Sequence, residues 1–416
     1  MNPVAAILEK AVKPLAMKSL LAWERLESGV AFNPLSPQLR ANPYPFYDEM
    51  RRKDPVHRMR LPVTGNGAWV LTNYGDVDVV LRDHRRFGNE GRDFGYIPYI
   101  SMLDLDPPAH TRIRGLVSRG FTPRSVEALE PRIRQRVGEL LDALEGRDRI
   151  DLIRDLAFPL PVIVIAELLG VPPEDREQFN EWSNIVSLTV DPLLNETQIG
   201  QVRQTVEEMF DYFDGVAQAR RANPQDDLVS VLANAEEDGE RLSRDDLLIN
   251  LVLFLAAGNE TTRNLIGNGM LALLRHPEQL QRLRDEPGLL ETAIDELLRY
   301  DSPVQLDSRI ARESLEIGGK KIEPGQLVYC VLGAANRDPA AFPNPDVLDI
   351  GRGAGNHVAF GRGIHYCLGA PLARLEGRIA FEALLSRYSS VRLAEEPRYR
   401  DQVVLRGLEA LWLEVG

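Results

Sequence analysis

Apolar positions recur at helical spacing along most of the chain, and one segment, Ser243 to Arg275, carries the pattern for roughly 48 Å at about 1.5 Å per residue. Ser243 is placed to cap it, with Asp246 three residues on, and His276-Pro277 stops it. Inside this segment the apolar run Leu251 to Ala257 gives way to Gly258-Asn259-Glu260-Thr261-Thr262-Arg263-Asn264 before Leu265 and Ile266 resume. Phe254, Ala257, Gly258, Thr261 and Leu265 share one face, so the interruption reads as a notch of small residues bearing one hydroxyl. A central helix gains no stability from such a break, which marks it as functional.

Two further helices follow from the same period. Leu368 to Ser386 repeats it at Leu372, Leu375, Ile379, Ala383 and Leu384, with Pro371 tolerated in the first turn, and Leu289 to Tyr300 ends before Ser302-Pro303. Strand-like alternation appears near Ala68 to Thr72, in Leu315 to Leu332 around Gly318-Gly319 and Pro324-Gly325, and near Val403 to Val415. The pattern predicts a mainly α chain with a small β-rich lobe.

One of only two cysteines, Cys367, lies in Phe360-Gly361-Arg362-Gly363-Ile364-His365-Tyr366-Cys367-Leu368-Gly369. Glycines at 361, 363 and 369 admit positive φ and a close backbone approach, leaving no bulk on either side of the sulfur. At a helix N-terminus the thiol pKa is expected to fall, favouring a thiolate that ligates a metal or attacks an electrophile. Cys330, inside the apolar run Leu327 to Leu332, reads as a small buried hydrophobe.

This ten-residue run resembles the haem-binding signature of the cytochrome P450 family, Phe-Gly-x-Gly-x-His-x-Cys-x-Gly, at every fixed position. The resemblance implies a triangular helical prism around a buried haem b (Fe-protoporphyrin IX), with Cys367 as the iron ligand. It also implies a haem pocket that includes Phe360, Gly361, His365 and Gly369. Ala257-Gly258-Asn259-Glu260-Thr261 resembles the family motif over the oxygen-binding face, which makes Ala257 and Gly258 haem contacts, Thr261 the hydroxyl beside dioxygen and Glu260 the proton relay. Glu296-Leu297-Leu298-Arg299 resembles the family's Glu-x-x-Arg pair, joined by an arginine of the loop that here contains Asp349-Ile350-Gly351-Arg352; Glu296, Arg299 and Arg352 are read as structural supports. His110 and Arg114, in Asp106-Pro107-Pro108-Ala109-His110-Thr111-Arg112-Ile113-Arg114, resemble the propionate-binding helix as two cationic donors, with Arg309 and His365 added to them.

The resemblance runs from about Asn42 to the C-terminus and implies one catalytic domain over 41–416, preceded by a helical extension over 1–40 in which Ala5 to Trp23 is mildly amphipathic. It also implies a substrate pocket lined by Leu253, Ala256, Ala257, Val304, Gln305 and Val404, with Tyr96 and Tyr99 as further polar handles. The substrate would be an apolar terpenoid, steroid, fatty acid or polyketide, hydroxylated or epoxidised with dioxygen. Electrons would come from a ferredoxin and a ferredoxin reductase with NAD(P)H, docking on a basic patch for which Arg112, Arg119, Arg374 and Arg378 are candidates. A peroxide-driven peroxygenase and a non-enzymatic haem sensor are the rival functions, and neither needs the Glu260-Thr261 relay.

Charge and composition narrow the rest. Lys and Arg number 49 against 62 Asp and Glu, a net charge of −13, which repels nucleic-acid phosphates. Two cysteines in such different settings form no disulfide framework, so a reducing cytoplasm is expected. No apolar run approaches the roughly 20 residues of a transmembrane span, and a monomer is expected.

Overall fold

The computed structural model describes residues 17–60, 68–91, 97–190, 194–237, 240–353 and 355–416. Among its helices, five position the site: α1 (Ala109–Ser118), α2 (Pro159–Leu169), α3 (Arg244–Arg275), α4 (Leu290–Tyr300) and α5 (Ala370–Arg387). The Ser243 hydroxyl accepts the Asp246 N–H at 3.0 Å and so caps α3, and the helix ends at His276 because Pro277 cannot continue it.

Burial along α3 explains its placement. Its N-terminal half, Leu247 to Leu255, belongs to one apolar cluster with Ile113, Phe179, Val206 and Phe213. Its C-terminal half, Leu265 to Leu273, belongs to another with Ile133, Ile294, Leu297, Ile379 and Phe381. Two glycines let α3, α4 and α5 close on one another. A Cβ on Gly377 of α5 would sit 3.0 Å from Leu265 Cδ2 and 3.3 Å from Ile294 Cδ1, and one on Gly269 of α3 would sit 2.8 Å from Phe381 Cζ.

The β-rich lobe is a five-stranded sheet of β1 (Val56–Met59), β2 (Ala68–Leu71), β3 (Phe87–Gly88), β5 (Leu306–Ala311) and β6 (Leu327–Val331), in the order β1-β2-β6-β5-β3. Strand β6 runs parallel to β2 and antiparallel to β5, and all five of its residues are buried, Cys330 among them. A three-stranded sheet joins β4 (Arg149–Asp151), β7 (Val391–Leu393) and β8 (Trp412–Val415) in the order β7-β8-β4.

The expected strand over Val403 to Val415 is mostly absent, since only Trp412–Val415 is a strand. Residues before it spend their backbone groups elsewhere: the Arg406 and Leu408 carbonyls accept from Asn268 and Arg263 of α3, and the Arg406 N–H donates to the Pro303 carbonyl. Leu315 to Leu332 is likewise broken, into a short hairpin, Leu315–Ile317 with Lys320–Ile322, followed by β6.

Residues 17–28 are helical and docked on the lobe. Glu24 accepts from the Arg60 N–H at 2.6 Å and contacts His57 Nε2 at 3.2 Å, while residues 1–16 lie outside the described residues. The Arg40 and Ala41 carbonyls accept from Arg406, so the chain at 40–41 is tied to the main body. Among the described residues no helix is long and apolar enough to cross a membrane.

Candidate active site

From Leu247 to Leu273 every residue of α3 is buried except five: Leu253, Ala256, Ala257, Gly258 and Thr261. At 3.6 residues per turn these lie on one side, so the small-residue notch is the only accessible part of an otherwise enclosed stretch. The Thr261 hydroxyl donates to the Ala257 carbonyl at 2.9 Å, one turn back. Ile165 of α2 backs the notch, 3.6 Å from where a Cβ on Gly258 would stand.

Cys367 has the same character. It keeps an accessible surface although protein encloses it, which places the sulfur on an internal cavity. Its N–H donates to the Phe360 carbonyl at 2.9 Å, closing a loop in which Gly361 and Gly363 both have left-handed φ, +68° and +69°. A Cβ on Gly363 would lie 2.5 Å from the Leu81 carbonyl, so only glycine fits there. Gly369 differs from expectation, with φ −82°: it is the N-cap of α5, and a Cβ on it would stand 4.0 Å from Cys367 Sγ. Helices α3 and α5 pack on each other, and Leu253, Ala256 and Leu368 border the same apolar cluster.

The expected lowering of the thiol pKa does not survive burial. Enclosure pushes the Cys367 thiol above its ordinary range, against the pull of the Gly369 N–H, Arg114, Arg374 and the Ala370 N–H. A coordinated metal ion would supply the compensation that these donors leave incomplete.

Around the cavity sits a set of underused donors. His110 is 2% exposed, neither ring nitrogen has a hydrogen-bond partner, and its ring lies against His365 at 4.1 Å between centroids, the two planes tilted by 43°. It is not the cation expected from its spacing to Arg114: burial first, and then the Arg114 charge, bring its pKa down to about 4. Arg114 donates to the Tyr366 carbonyl, beside Cys367, whereas Arg112 turns to Asp246 at 3.6 Å. Arg309, on β5, is 3% exposed with Nη2 unpartnered and Nη1 on Asp307 at 2.9 Å. A thiol, a neutral imidazole and two guanidinium groups with donors to spare, with a notch without bulk on the helix packed against α5, fit a flat iron porphyrin with two carboxylate arms.

Behind the Cys367 loop is a buried ionic cluster. Arg299 meets Glu296 with two bonds, 2.7 and 2.8 Å, both side chains 0% exposed. Glu296 Oε1 also accepts from Arg352 Nε at 3.1 Å and the Asp349 N–H at 3.0 Å, while Arg299 Nη1 holds the Asn336 and Pro345 carbonyls at 2.8 Å. The 336–352 segment is locked onto α4 this way, and Asn336 Oδ1 accepts the Val358 N–H just before the Cys367 loop. On the same side Arg374 of α5 pairs with Asp295 at 2.7 Å and lies over the Phe360 ring at 4.6 Å.

Other expected residues are placed differently. Glu260, 1% exposed, contacts Arg263 at 3.5 Å and is paired with Arg400, a residue that carried no local signal because it is 140 positions away. Only Arg263, one turn along, was visible as a possible partner in the sequence. Val304 and Val404 are half-buried and Val304 bridges to Leu405, beside the expected pocket. Gln305 is not a handle in that pocket. It is 3% exposed, donates to the Ser302 carbonyl at 2.7 Å and fills the space left by Gly333, because that missing side chain gives its amide room. Tyr99 packs on Phe210 at 4.3 Å, and Tyr96 lies outside the described residues. The arginines expected to form a basic patch are engaged within the chain: Arg112 as above, Arg374 with Asp295, Arg378 with Glu130 at 3.0 Å, and Arg119 on the Glu236 carbonyl at 3.0 Å. Carboxylate partners remove much of the patch's free charge.

Comparison with known proteins agrees with this geometry. The Cytochrome P450 family model matches residues 30–406. The vitamin D(3) 25-hydroxylase of Pseudonocardia autotrophica is 41% identical over 90% of this chain and 94% of its own length. The cytochrome P450 monooxygenase PikC of Streptomyces venezuelae is 41% identical over 91% and 92%. Among solved structures, the bacillaene polyketide synthase cytochrome P450 PksS of Bacillus subtilis 168 superimposes with a TM-score of 0.87 at 41% identity, covering 92% of this chain and 100% of that one. One family accounts for about nine tenths of the sequence, and the chain belongs to it: it is a cytochrome P450, a haem-binding monooxygenase.

Proposed function

We propose that the protein inserts one oxygen atom of dioxygen into a C–H or C=C bond of an apolar molecule of polyketide, macrolide or steroid-like bulk. Two electrons come from a separate ferredoxin and its NAD(P)H-dependent reductase. The observation that carries this reading is the five-residue notch of α3, accessible within a helix that is buried on both sides of it. When bound, haem supplies the iron that takes up dioxygen and, through a cysteine thiolate, the electron donation that favours O–O cleavage.

The chain's own residues do the rest. Cys367 would hold the iron, with the Gly369 and Ala370 N–H groups aimed at its sulfur to moderate its charge. His110, Arg114 and Arg309 take the propionates. Ala257 and Gly258 leave room for dioxygen, and the Thr261 hydroxyl orders the hydrogen bonds through which Glu260 passes protons. Glu296, Arg299 and Arg352 hold the Cys367 loop to the helical body.

Leu253, Ala256, Val304 and Val404 present apolar surface to the substrate, which is oriented by shape. The substrate class rests on that lining and on the relatives, whose names specify vitamin D and polyketide chemistry. Two free cysteines suit a reducing cytoplasm, and a site assembled from one chain suits a monomer.

The test is spectral and then catalytic. Reduced protein under carbon monoxide should show the red-shifted Soret band of a thiolate-ligated haem, and Cys367→Ser should lose it. Reconstitution with ferredoxin, reductase and NAD(P)H should then give hydroxylated or epoxidised product from macrolide or steroid substrates that shift the resting spectrum. Retention of the red-shifted band in the serine variant, or oxidation of NAD(P)H with no oxygenated product from any shifting ligand, would overturn the proposal.

A further inference from the structure

Of the four arginines expected in a docking patch, Arg374 is set apart by what it touches. Its guanidinium lies over the Phe360 ring at 4.6 Å and Nη1 donates to the Tyr366 hydroxyl at 3.3 Å, and both rings belong to the loop that ends at Cys367. The two rings meet edge to face, with centroids 6.3 Å apart. Through this placement the Arg374 charge pulls on the Cys367 sulfur, as that of Arg114 does. Arg378, one turn further along α5, turns instead to Glu130 at 3.0 Å.

The charge has a counter-ion held in a fixed position. Arg374 Nε donates to Asp295 Oδ1 at 2.7 Å, from α5 to α4, and the same oxygen is 3.3 Å from His357 Nε2. His357 is 3% exposed, and its Nδ1 accepts the Ala359 N–H at 3.2 Å, so the neutral ring carries its proton on Nε2 and donates it to Asp295. Burial keeps that ring neutral by lowering its pKa, against the pull of Asp295. Burial also pushes the Asp295 carboxyl up, but the hydrogen bonds from His357 and Arg374 more than reverse this, and it is an anion. The set is one cation and one anion, with the cation turned toward the Cys367 loop.

Stability does not account for this arrangement. Helices α4 and α5 are already joined through the apolar cluster that holds Ile294, Leu297, Ile379 and Phe381. The Arg374 and Asp295 side chains are 32% and 22% accessible, and an ion pair that meets solvent to this extent adds little to folding. Its orientation is what matters. A cation beside a redox centre favours the state with one more electron, and an anion next to that cation weakens the effect.

We propose that Arg374 and Asp295 set the reduction potential of the haem through Cys367, Arg374 raising it and Asp295 holding it down, while His357 fixes Asp295 in place. The step concerned is the one-electron reduction of ferric to ferrous haem by reduced ferredoxin, in which no covalent bond forms or breaks. Both residues act through the Cys367 loop and are positioning residues. The inference rests on the reading of Cys367 as the thiolate ligand, and gives Arg374 a role inside the enzyme in place of the expected one in docking.

The test uses the haem-loaded protein alone, without ferredoxin, so that docking does not enter. Midpoint potentials from spectroelectrochemical titration should move in opposite directions, up in Asp295→Asn and down in Arg374→Gln. Each should change the ferrous-to-ferric ratio at a fixed potential by about fivefold. Arg374→Lys, which keeps the charge, should lie closer to the parent than Arg374→Gln, and Asp295→Asn/Arg374→Gln should fall between the two single variants. The C–O stretching frequency of the ferrous carbon monoxide complex should follow, rising in Asp295→Asn and falling in Arg374→Gln, because a thiolate in a stronger positive field donates less to the iron. A pair that only ties the helices together would displace both single variants the same way, with weaker haem retention. Shifts of the same sign, or a potential unchanged in either single variant, would overturn the proposal and leave the reading of Cys367 standing if the parent shows its red-shifted carbon monoxide band. Absence of that band in the parent would overturn both.

Discussion

Arg400 Nη1 is seated on Glu260 Oε1, joining the C-terminal hairpin to the turn of α3 that carries the site's buried acid. Arg400 is 24% accessible at its side chain and Glu260 2%. Arg400→Met should leave Glu260 with Arg263 alone and cost about 1–2 kcal/mol, less than a fully buried pair because one partner meets solvent. Amide hydrogen exchange over 399–408 should accelerate while the carbon monoxide spectrum is retained; unchanged exchange would show that the hairpin does not depend on this contact.

Glu296→Ala should be far more damaging. It leaves Arg299 and Arg352 without their carboxylate in a region where Arg299 is 0% exposed, at a cost of about 3–5 kcal/mol. Denaturant unfolding of the purified variant should show that loss, together with weaker haem retention, since Arg299 holds the Asn336 carbonyl and Asn336 Oδ1 accepts the Val358 N–H just before the Cys367 loop.

Glu376 of α5 is 2% exposed, its Oε2 has no partner, and burial raises its carboxyl to about 8. The native state therefore binds a proton that the unfolded chain releases above an ordinary glutamate pKa. Stability should fall as pH rises from about 4.5 to about 8, by up to about 1.4 kcal/mol per unit. Glu376→Gln removes the titration. Its gain in melting temperature over the parent should be larger at pH 8 than at pH 5, and an equal gain at both would show that the group does not titrate in that window.

His57, 1% exposed, works in the other direction. Burial lowers its pKa, but Asp54 at 3.0 Å and Glu24 at 3.2 Å more than reverse this, so the net shift is upward. Its contribution is present below the unfolded value of about 6.5 and is lost as pH rises through the folded one. Protection of residues 17–28 from hydrogen exchange should therefore decline in the parent as pH rises above the ordinary histidine range. In His57→Gln it should be independent of pH over the same range.

Gly377→Ala probes the packing of the three central helices. The added methyl meets Leu265 at 3.0 Å and Ile294 at 3.3 Å, and should cost about 1–3 kcal/mol. Calorimetry of the haem-loaded protein would measure it, and a neutral effect would show that the helices can part.

Legibility in the sequence followed range. The Ser243 cap, the stop at His276-Pro277, the notch on one face of α3, the Glu296–Arg299 pair and the left-handed glycines at 361 and 363 each depend on residues within one or two turns. Backbone geometry fixes such relations wherever the chain folds. The neutral state of His110, the raised thiol of Cys367 and the inward packing of Gln305 could not be read that way, because each is set by how much protein surrounds the group. Val403 to Leu411 misled for a related reason: its alternating pattern suits a strand, but its carbonyls found the side chains of α3 before they found a neighbouring strand.

The amino-acid order alone determined the glycine-flanked cysteine loop, the long helix with its small-residue interruption, and through them the family and the chemistry. Tertiary structure decided which distant groups meet: Arg400 on Glu260, Arg352 on Glu296, and Gly407 against Asn264. Local conformation is written in short-range sterics and hydrogen bonding, whereas desolvation and long-range pairing exist only once packing has excluded water.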